Sequence, residues 1–397
     1  MESISNIELT DEQIFALMDI ENWWHKQDKQ VLEITGGPGT GKTFLVKYFA
    51  DRIGLTDDDI LYIAFSGKAV SVMARNGLPA KTIHSSIYNY QEVYAKDENG
   101  HVIMKENGKP KKTFEFVLKE KLSKKYKLIV IDEGSMVGER VAKDILTFGL
   151  PIICLGDLNQ LPPVMDKSFF LKDPDIRLTK IMRQKEGDPI VWLSEQVLAG
   201  RELKYGVYGN SAVIRKNDVT EYMLKNVDII ITGTNSLRNE INKQFRSTIK
   251  KLSNLEFPYM GEKVVCVKNN WNISIDNGVF LTNGTTGFID NVYRSTYNKY
   301  SIMIDFRPDF TKSVFKNLRV DYNHLMGLTE KEESKFDMSK FLNSFEFGYA
   351  ITTHKAQGGG WGSVMFMAEN FFRNSTDRKR FLYTGITRAI DQVIIVQ

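Results

Sequence analysis

Hydrophobic residues in this chain fall in short continuous runs separated by stretches of mixed polarity. Val31–Thr35, Ile60–Phe65, Leu128–Ile131 and Pro151–Leu155 are almost wholly apolar, as expected of strands covered on both faces. Phe44–Ile53 and Lys68–Arg75 follow the first two runs with helical spacing. Strands alternating with helices predict an α/β fold with a parallel, doubly wound sheet. The pattern breaks between about 87 and 123, where polar and basic residues surround two turn signals, Asp97-Glu98-Asn99-Gly100 and Glu106-Asn107-Gly108-Lys109-Pro110. An insertion is expected there, built as a β-hairpin on an Asn-Gly turn.

A second α/β series begins near Leu178, with a helix over Pro189–Ala199, a strand over Asp228–Thr232 and a helix over Leu237–Ile249. From Met260 to about Asn317 short strands and turns take over, as in Lys263–Val267, Gly284–Val292 and Tyr300–Phe306. This is the pattern of a small all-β module. Phe347–Thr352, Ser363–Met367 and Val393–Val396 return to buried strands. The expected organisation is a first α/β unit at 1–86 and 124–175, interrupted by a basic insertion at 87–123. A second unit occupies 176–259 and 341–397, interrupted by the β module at 260–340. There is no internal repeat of solenoid length.

At 397 residues, two to four domains are expected, and an apolar fraction of 42% supplies their cores. No run has the length and apolarity of a membrane span, and Met1-Glu2-Ser3-Ile4 does not open a secretory signal. Cys154 and Cys266, far apart in apparent strands, read as buried thiols of a reducing compartment. The expected location is therefore the cytoplasm of a bacterial cell, or of a host cell for a phage-encoded chain. A net charge of +4 does not by itself argue a polyanionic partner. Its distribution is more telling: His101 to Lys127 holds nine Lys and three Glu, a local excess of six positive charges. A solvated loop and a phosphate-facing surface are both compatible with that excess.

The first strand runs into Gly36-Gly37-Pro38-Gly39-Thr40-Gly41-Lys42-Thr43 and then a helix. This is the G-x-x-x-x-G-K-[ST] loop, whose backbone N–H groups cradle the phosphates of ATP or a close relative. Lys42 would reach the β- and γ-phosphates, and the Thr43 hydroxyl would ligate Mg²⁺. Leu128-Ile129-Val130-Ile131 ends in Asp132-Glu133, two acids at the carboxyl edge of a strand, where open α/β sheets bind ligands. Asp132 would act on Mg²⁺ through water, and Glu133 would polarise the attacking water. One acid alone would pass as a helix cap; the pair behind a phosphate loop favours hydrolysis. Ile152–Leu155 runs into Gly156-Asp157-Leu158-Asn159-Gln160-Leu161-Pro162-Pro163, where the Gln160 amide is a candidate γ-phosphate sensor.

With these segments in this order, nearly the whole chain resembles superfamily 1 helicases of the 5′→3′ group that includes RecD and the phage Dda helicase. Leu9-Thr10 with Gln13 is similar to the adenine-reading Q motif, and Gly36–Thr43 to motif I. Ala64–Ala69 resembles motif Ia, Thr82–Ser85 motif Ib, Asp132–Ser135 motif II and Gly156–Pro163 motif III. Leu178–Gln184 resembles motif IV, Tyr349–Gly359 motif V and Phe381–Ala389 motif VI. The resemblance implies two RecA-like domains with ATP between them, Gln357 and Gly358 beside the nucleotide, and Arg183 and Arg388 reaching the γ-phosphate from the second domain. It further implies a single-strand track of Ser66, Lys68, Thr82 and His84 in the first unit and Asn235, Thr353, His354 and Lys355 in the second. The basic insertion then occupies the place of a duplex-splitting wedge, with Tyr88, Tyr90 and Tyr94 as a stacking or a packing surface. The β module resembles an SH3-like barrel, either clamping the second domain or touching DNA. Gly134 stands where the family more often has alanine, an exchange expected to matter little.

The expected function is an ATP-dependent DNA helicase that moves 5′→3′ on single strands. Expected partners are single-stranded DNA, strand–duplex junctions and replication or recombination proteins; a monomer without a membrane partner is expected. Two alternatives stay open: an RNA helicase of the same superfamily, since the motifs do not report the sugar, and a non-motor ATPase that senses single strands. Motifs IV to VI weigh against the non-motor reading.

Overall fold

The computed structural model describes residues 9–95, 97, 100–104, 108–162, 168–180, 188–252, 255–275, 279–294, 300–328, 342–372 and 374–397. The strands of its first half are β1 (Val31–Gly36), β2 (Ile60–Ala64), β3 (Lys81–Thr82), β4 (Tyr88–Tyr94), β5 (Lys112–Leu118), β6 (Leu128–Asp132), β7 (Ile152–Gly156) and β8 (Ile176–Leu178). Six of them form a sheet in the order β3-β2-β6-β7-β1-β8, parallel throughout. Alternate residues enter different cores. Leu128, Val130, Ile153 and Leu155 pack with the helices Asp11–Lys26 and Lys42–Arg52, whereas Ile129, Ile131, Ile152 and Cys154 pack on the opposite face with Ala142 and Ile145 of the helix Glu139–Leu146. Two apolar faces explain why these strands read as unbroken apolar runs.

The second half holds β9 (Gly206–Tyr208), β10 (Ser211–Ile214), β11 (Ile229–Thr232), β12 (Lys263–Cys266), β13 (Asn270–Ile275), β14 (Val279–Leu281), β15 (Thr286–Arg294), β16 (Ser301–Pro308), β17 (Phe315–Asp321), β18 (Phe345–Phe347), β19 (Ala350–Thr352), β20 (Trp361–Met367) and β21 (Ala389–Val396). A second six-stranded sheet runs β19-β11-β20-β21-β10-β9, parallel except for the β9 edge. A five-stranded antiparallel sheet, β17-β16-β15-β12-β18, encloses its own core of Val264, Ile304, Phe306, Phe315 and Phe345. Among the described residues no helix is long and apolar enough to cross a membrane.

Two expected boundaries move. Ile176–Leu178, expected to open the second unit, pairs with β1 and closes the first sheet. Phe347–Thr352, expected as one strand, is two: Phe345–Phe347 pairs with β12 in the antiparallel sheet, and Ala350–Thr352 enters the second parallel sheet beside β11. The helix expected over Leu237–Ile249 is α-helical from Asn235 to Gln244 and widens to a π turn at Phe245–Ile249. The basic insertion is a hairpin of β4 and β5, registered from Tyr88↔Leu118 to Tyr94↔Lys112. Its arms are joined through Ile103. Ile103 N donates to Ala95 O and Lys111 N to Ile103 O, both at 2.8 Å, so two consecutive turns share Ile103. Gly100 and Gly108, the glycines of the two turn signals, take φ of +85° and +70°.

The second unit and the antiparallel sheet are joined by a buried ion pair. Arg246 Nε lies 2.6 Å from Glu262 Oε1 and Nη2 lies 3.2 Å from Oε2. The same guanidinium donates to Leu255 O and Phe257 O and stacks 4.0 Å from the Phe347 ring centre. Removing one partner of such a pair leaves an uncompensated buried charge. Glu262→Ala is expected to destabilise this half of the molecule by about 3–5 kcal/mol, read as a shift of its unfolding transition in urea. A shift below about 1 kcal/mol, the range of a surface pair, would show the pair to be solvent-relaxed.

Candidate functional site

The phosphate-binding loop follows β1 and opens the helix Lys42–Arg52. Gly39 and Gly41 take φ of +82° and +86°, where a side chain would be strained, and this backbone turns successive N–H groups inward. Thr40 is buried and its hydroxyl donates to Gly37 O at 3.0 Å. The Lys42 ammonium donates to Gly36 O at 2.6 Å and Gly37 O at 3.0 Å, which holds its charge over the loop.

Asp132 closes β6 and Glu133 follows in the left-handed region at φ +55°. Burial raises the proton affinity of Asp132, opposed by the Lys42 charge and by the Glu133 N–H on Oδ1 at 3.0 Å. Burial likewise pushes Glu133 well up, with Asp132 adding to the shift and Arg388 and Lys42 opposing it. Glu133 Oε2 and Gln160 Oε1 are buried with no hydrogen-bond partner among the described residues. Two half-buried carboxylates beside Lys42 and Thr43 are a donor set that fits a hard divalent cation bound with a polyphosphate. Gly134 behaves differently from the expectation of an interchangeable small residue. A Cβ there would fall 2.2 Å from Cys154 Sγ and 3.1 Å from Leu155 O, so alanine requires the Cys154 side chain to move.

A cleft of about 1510 Å³ brings together Gln13, Pro38, Gly39, Gly41, Lys42, Thr43, Asp132, Glu133, Gln160, Gly358 and Arg388. Gln13, buried, donates to Thr40 O at 3.4 Å and accepts from Thr10 N at 3.2 Å, so its amide ties the helix Asp11–Lys26 to the phosphate loop. Arg388 is 4% exposed and comes from the second parallel sheet's side of the cleft. It donates to Thr384 O at 3.1 Å, Gly359 O at 3.0 Å and Thr387 Oγ1 at 3.3 Å. Gln357 is buried and crosses to the first unit, donating to Leu161 O at 2.7 Å. Arg183 lies outside the described residues. The stretch before it, Leu178–Lys180, is held by the first unit through β8 and through the Glu12 carboxylate, which accepts from Thr179 N and Lys180 N at 2.9 Å.

The candidate strand contacts divide into two groups. Ser66 and Thr82 cap helices, their hydroxyls accepting from Ala69 N at 3.2 Å and Ser85 N at 3.3 Å. Thr353 is 1% exposed and donates to Thr232 O, which removes its side chain from any strand surface. His84 packs in an aromatic cluster with Phe65, Tyr88 and Phe116, and burial lowers its proton affinity, so it is an uncharged ring. His354 is shifted the same way by burial. Lys68 Nζ sits 3.3 Å over the Trp361 ring, from the other unit. Lys355 shares the Glu346 carboxylate with Arg238, at 2.7 and 2.8 Å. Asn235 is exposed at the start of its helix. The turn between β14 and β15 reaches the same place: a Cβ on Gly67 would fall 1.8 Å from Thr282 Oγ1. Tyr88, in the hairpin base, is buried and its hydroxyl bonds Asp144, which makes it packing; Tyr94 is exposed on the same strand.

Sequence reasoning missed Asp157, Tyr383 and Thr384 as cross-cleft partners. Tyr383 OH donates to Asp157 Oδ2 at 2.8 Å, and Thr384 Oγ1 accepts from Leu161 N at 3.0 Å.

A family model described as an AAA domain matches residues 8–218, and one described as a UvrD-like helicase C-terminal domain matches 347–396. The ATP-dependent RecD2 DNA helicase of Deinococcus radiodurans is 25% identical over 392 residues, covering 91% of this chain and 46% of that protein. The chain thus spans about half the length of that relative. Among solved structures, Pif1 from Bacteroides in complex with ADP-AlF3 and single-stranded DNA has a TM-score of 0.54 at 17% identity, covering 98% of this chain and 92% of that chain. A Pif1 helicase solved as two coordinating copies at forked double-stranded DNA has the same TM-score at 19% identity, with the same coverage. At these identities the structural likeness speaks for the fold. By the family model spanning 8–218, the chain belongs to the AAA-domain family, and it is similar to the RecD2 helicase in sequence and to Pif1 helicases in fold.

Proposed function

We propose that this chain is an ATP-dependent DNA helicase that hydrolyses ATP in the cleft and moves 5′→3′ along single-stranded DNA, separating duplex ahead of it. The observation that carries the reading is the meeting of Lys42 and Glu133 from one parallel sheet with Arg388 from the other in a single cleft. Gly37 to Thr43 cradle the triphosphate, Gln13 faces the base, and Gln357 and Gly358 complete the wall. Thr43 and Asp132 hold Mg²⁺, which when bound neutralises phosphate charge. Glu133 orients the attacking water, Gln160 reads the γ-phosphate, and Arg183 and Arg388 stabilise the charge that develops on transfer. Guanidinium groups hold triphosphate better than diphosphate, so binding draws the units together and hydrolysis releases them. The strand runs over Ser66, Lys68, Thr82, His84, Asn235, His354 and Lys355, with Thr353 supporting the turn from within. The Bacteroides Pif1 neighbour, solved with ADP-AlF3 and single-stranded DNA, supports both ligands. The deciding experiment is unwinding of duplexes with a 5′ or a 3′ single-stranded tail, made in DNA and in RNA. Unwinding of 5′-tailed DNA is expected. Strand-stimulated ATP turnover without unwinding would favour a nucleotide-switched sensor, and preference for RNA would reassign the substrate.

The β4–β5 hairpin acts as the wedge. It carries exposed Lys109 and Lys111 beside exposed Tyr94, Val102, Met104 and Phe116, a surface suited to phosphate and to unstacked bases. Lys109→Ala with Lys111→Ala is expected to weaken binding to forked duplex and to flatten the slope of log K against log salt by about two, one released counterion for each lost contact. Identical salt slopes for variant and parent would assign the hairpin to solvent.

A further inference from the structure

The loop Asp157–Leu161 follows β7 of the first sheet, yet it is hydrogen-bonded to the second unit at three points. Tyr383 OH donates to Asp157 Oδ2 at 2.8 Å, Leu161 N donates to Thr384 Oγ1 at 3.0 Å, and Leu161 O accepts from Gln357 Nε2 at 2.7 Å. Asp157 and Tyr383 are 2% and 3% exposed. The same Oδ2 accepts from Gln160 Nε2 at 3.4 Å, and Oδ1 accepts from Asn159 N at 3.0 Å. One carboxylate therefore sets the position of the Gln160 amide, whose Oε1 is buried on the cleft wall and has no partner among the described residues. Tyr383 also reaches the phosphate loop: a Cβ on Gly37 would fall 3.0 Å from its hydroxyl. Its helix, Ser375–Ile386, ends immediately before Arg388, which donates back to Thr384 O.

We propose that Tyr383 is a positioning residue for ATP hydrolysis: through Asp157 it sets the Gln160 amide according to where the arginine-bearing helix of the second unit stands. This rests on the ATP-hydrolysing reading above. A phenol in a dry site holds a fixed direction, because it has one donor and a rigid ring. When the units part, the helix carries the hydroxyl away and Oδ2 of Asp157 keeps only its long contact to Gln160, with Oδ1 still held by Asn159 N. When they close, Oδ2 is fixed by two donors and the amide with it. Hydrolysis is thereby tied to closure at a second place besides Arg388.

Tyr383→Phe removes one oxygen from a buried site and keeps the ring. Single-strand-stimulated ATP turnover is expected to fall at least tenfold in kcat, with KM for ATP changing less than twofold and the melting temperature close to the parent's. A residue that only packed would move stability or KM instead. Asp157→Asn tests the same link independently, since a single amide oxygen cannot accept from Asn159 N, Tyr383 OH and Gln160 Nε2 together. It is expected to lower kcat comparably, and the double variant to be no slower than the slower single one. Should Tyr383→Phe fail to fold, Asp157→Asn alone decides: kcat within twofold of the parent overturns the proposal. Multiplying losses in the double variant also overturn it, because the two residues then act separately. No turnover by the parent overturns the functional reading and this proposal with it, whereas turnover by the parent matched by Tyr383→Phe overturns the proposal alone.

Discussion

Glu133→Gln is expected to bind ATP and single-stranded DNA as the parent does while hydrolysing ATP about 10²–10⁴-fold more slowly, the usual loss when a general base is removed. The side chain keeps its size, so the buried packing is preserved, and a buried charge pressed by Asp132 is removed. Stability should therefore hold or rise. Only the ability to take or orient a proton on the attacking water is lost, and Oε2, which has no hydrogen-bond partner among the described residues, is the atom suited to that task. Lys42→Ala separates two parts of the same site. Its ammonium is the point charge held over the phosphate loop, and its loss should abolish both tight ATP binding and turnover. Filter binding of ATP alongside steady-state turnover distinguishes the two variants. Robust hydrolysis by Glu133→Gln would move the base elsewhere in the cleft, and tight ATP binding by Lys42→Ala would contradict the phosphate-loop reading.

The parts of this fold legible in the sequence are those fixed by local burial. Leu128–Asp132 and Ile152–Gly156 read as strands because successive residues enter two different cores, and both cores are apolar. The two misplaced boundaries are short strands whose partner, not whose character, was in question. Ile176–Leu178 has only three residues, too few to announce a pairing with β1, so chain proximity suggested the wrong sheet. Phe345–Phe347 and Ala350–Thr352 are separated only by Gly348-Tyr349 and share one apolar pattern while belonging to different sheets.

The candidate site divides in the same way. Gly36–Thr43 and Asp132-Glu133 were readable because each is contiguous and the chemistry of one predicts the other. The cross-cleft bonds were not. Tyr383 and Asp157 stand 226 positions apart, and neither residue type in its own segment announces a partner. Hydroxyls were the least readable of all. Ser66, Thr82 and Thr353 sit in segments that suggested strand contacts, and the structure uses their oxygens to cap helices or to bind a neighbouring carbonyl. A hydroxyl at a strand end serves backbone and ligand equally well in the sequence. Gly134 shows the opposite limit: its need for a bare Cα comes from Cys154 on the adjacent strand, a contact no local pattern carries.

Arg388→Ala should lower strand-stimulated turnover by about a thousandfold or more, the scale of a transition-state arginine, while ATP affinity changes far less. The guanidinium donates to Thr384 O, Gly359 O and Thr387 Oγ1, all in its own unit, and those bonds hold it as a rigid fork at the cleft. Five N–H groups are available to a guanidinium, so these three leave donors for phosphate oxygens, and its charge already bears on Glu133 across the cleft. An interaction that strengthens as charge develops acts on kcat more than on ground-state binding. Arg388→Lys sharpens the test, because it keeps the charge and loses the planar fork; it should recover only a small part of the rate. Arg388 is buried, so its removal also leaves three acceptors unsatisfied, and thermal melting must accompany the kinetics. Arg183→Ala is expected to act in the same direction and more weakly. A well-folded Arg388→Ala protein turning over ATP within about tenfold of the parent would assign this arginine to packing. The two-unit cleft would then lose the positive charge that its second wall brings to bear on Glu133.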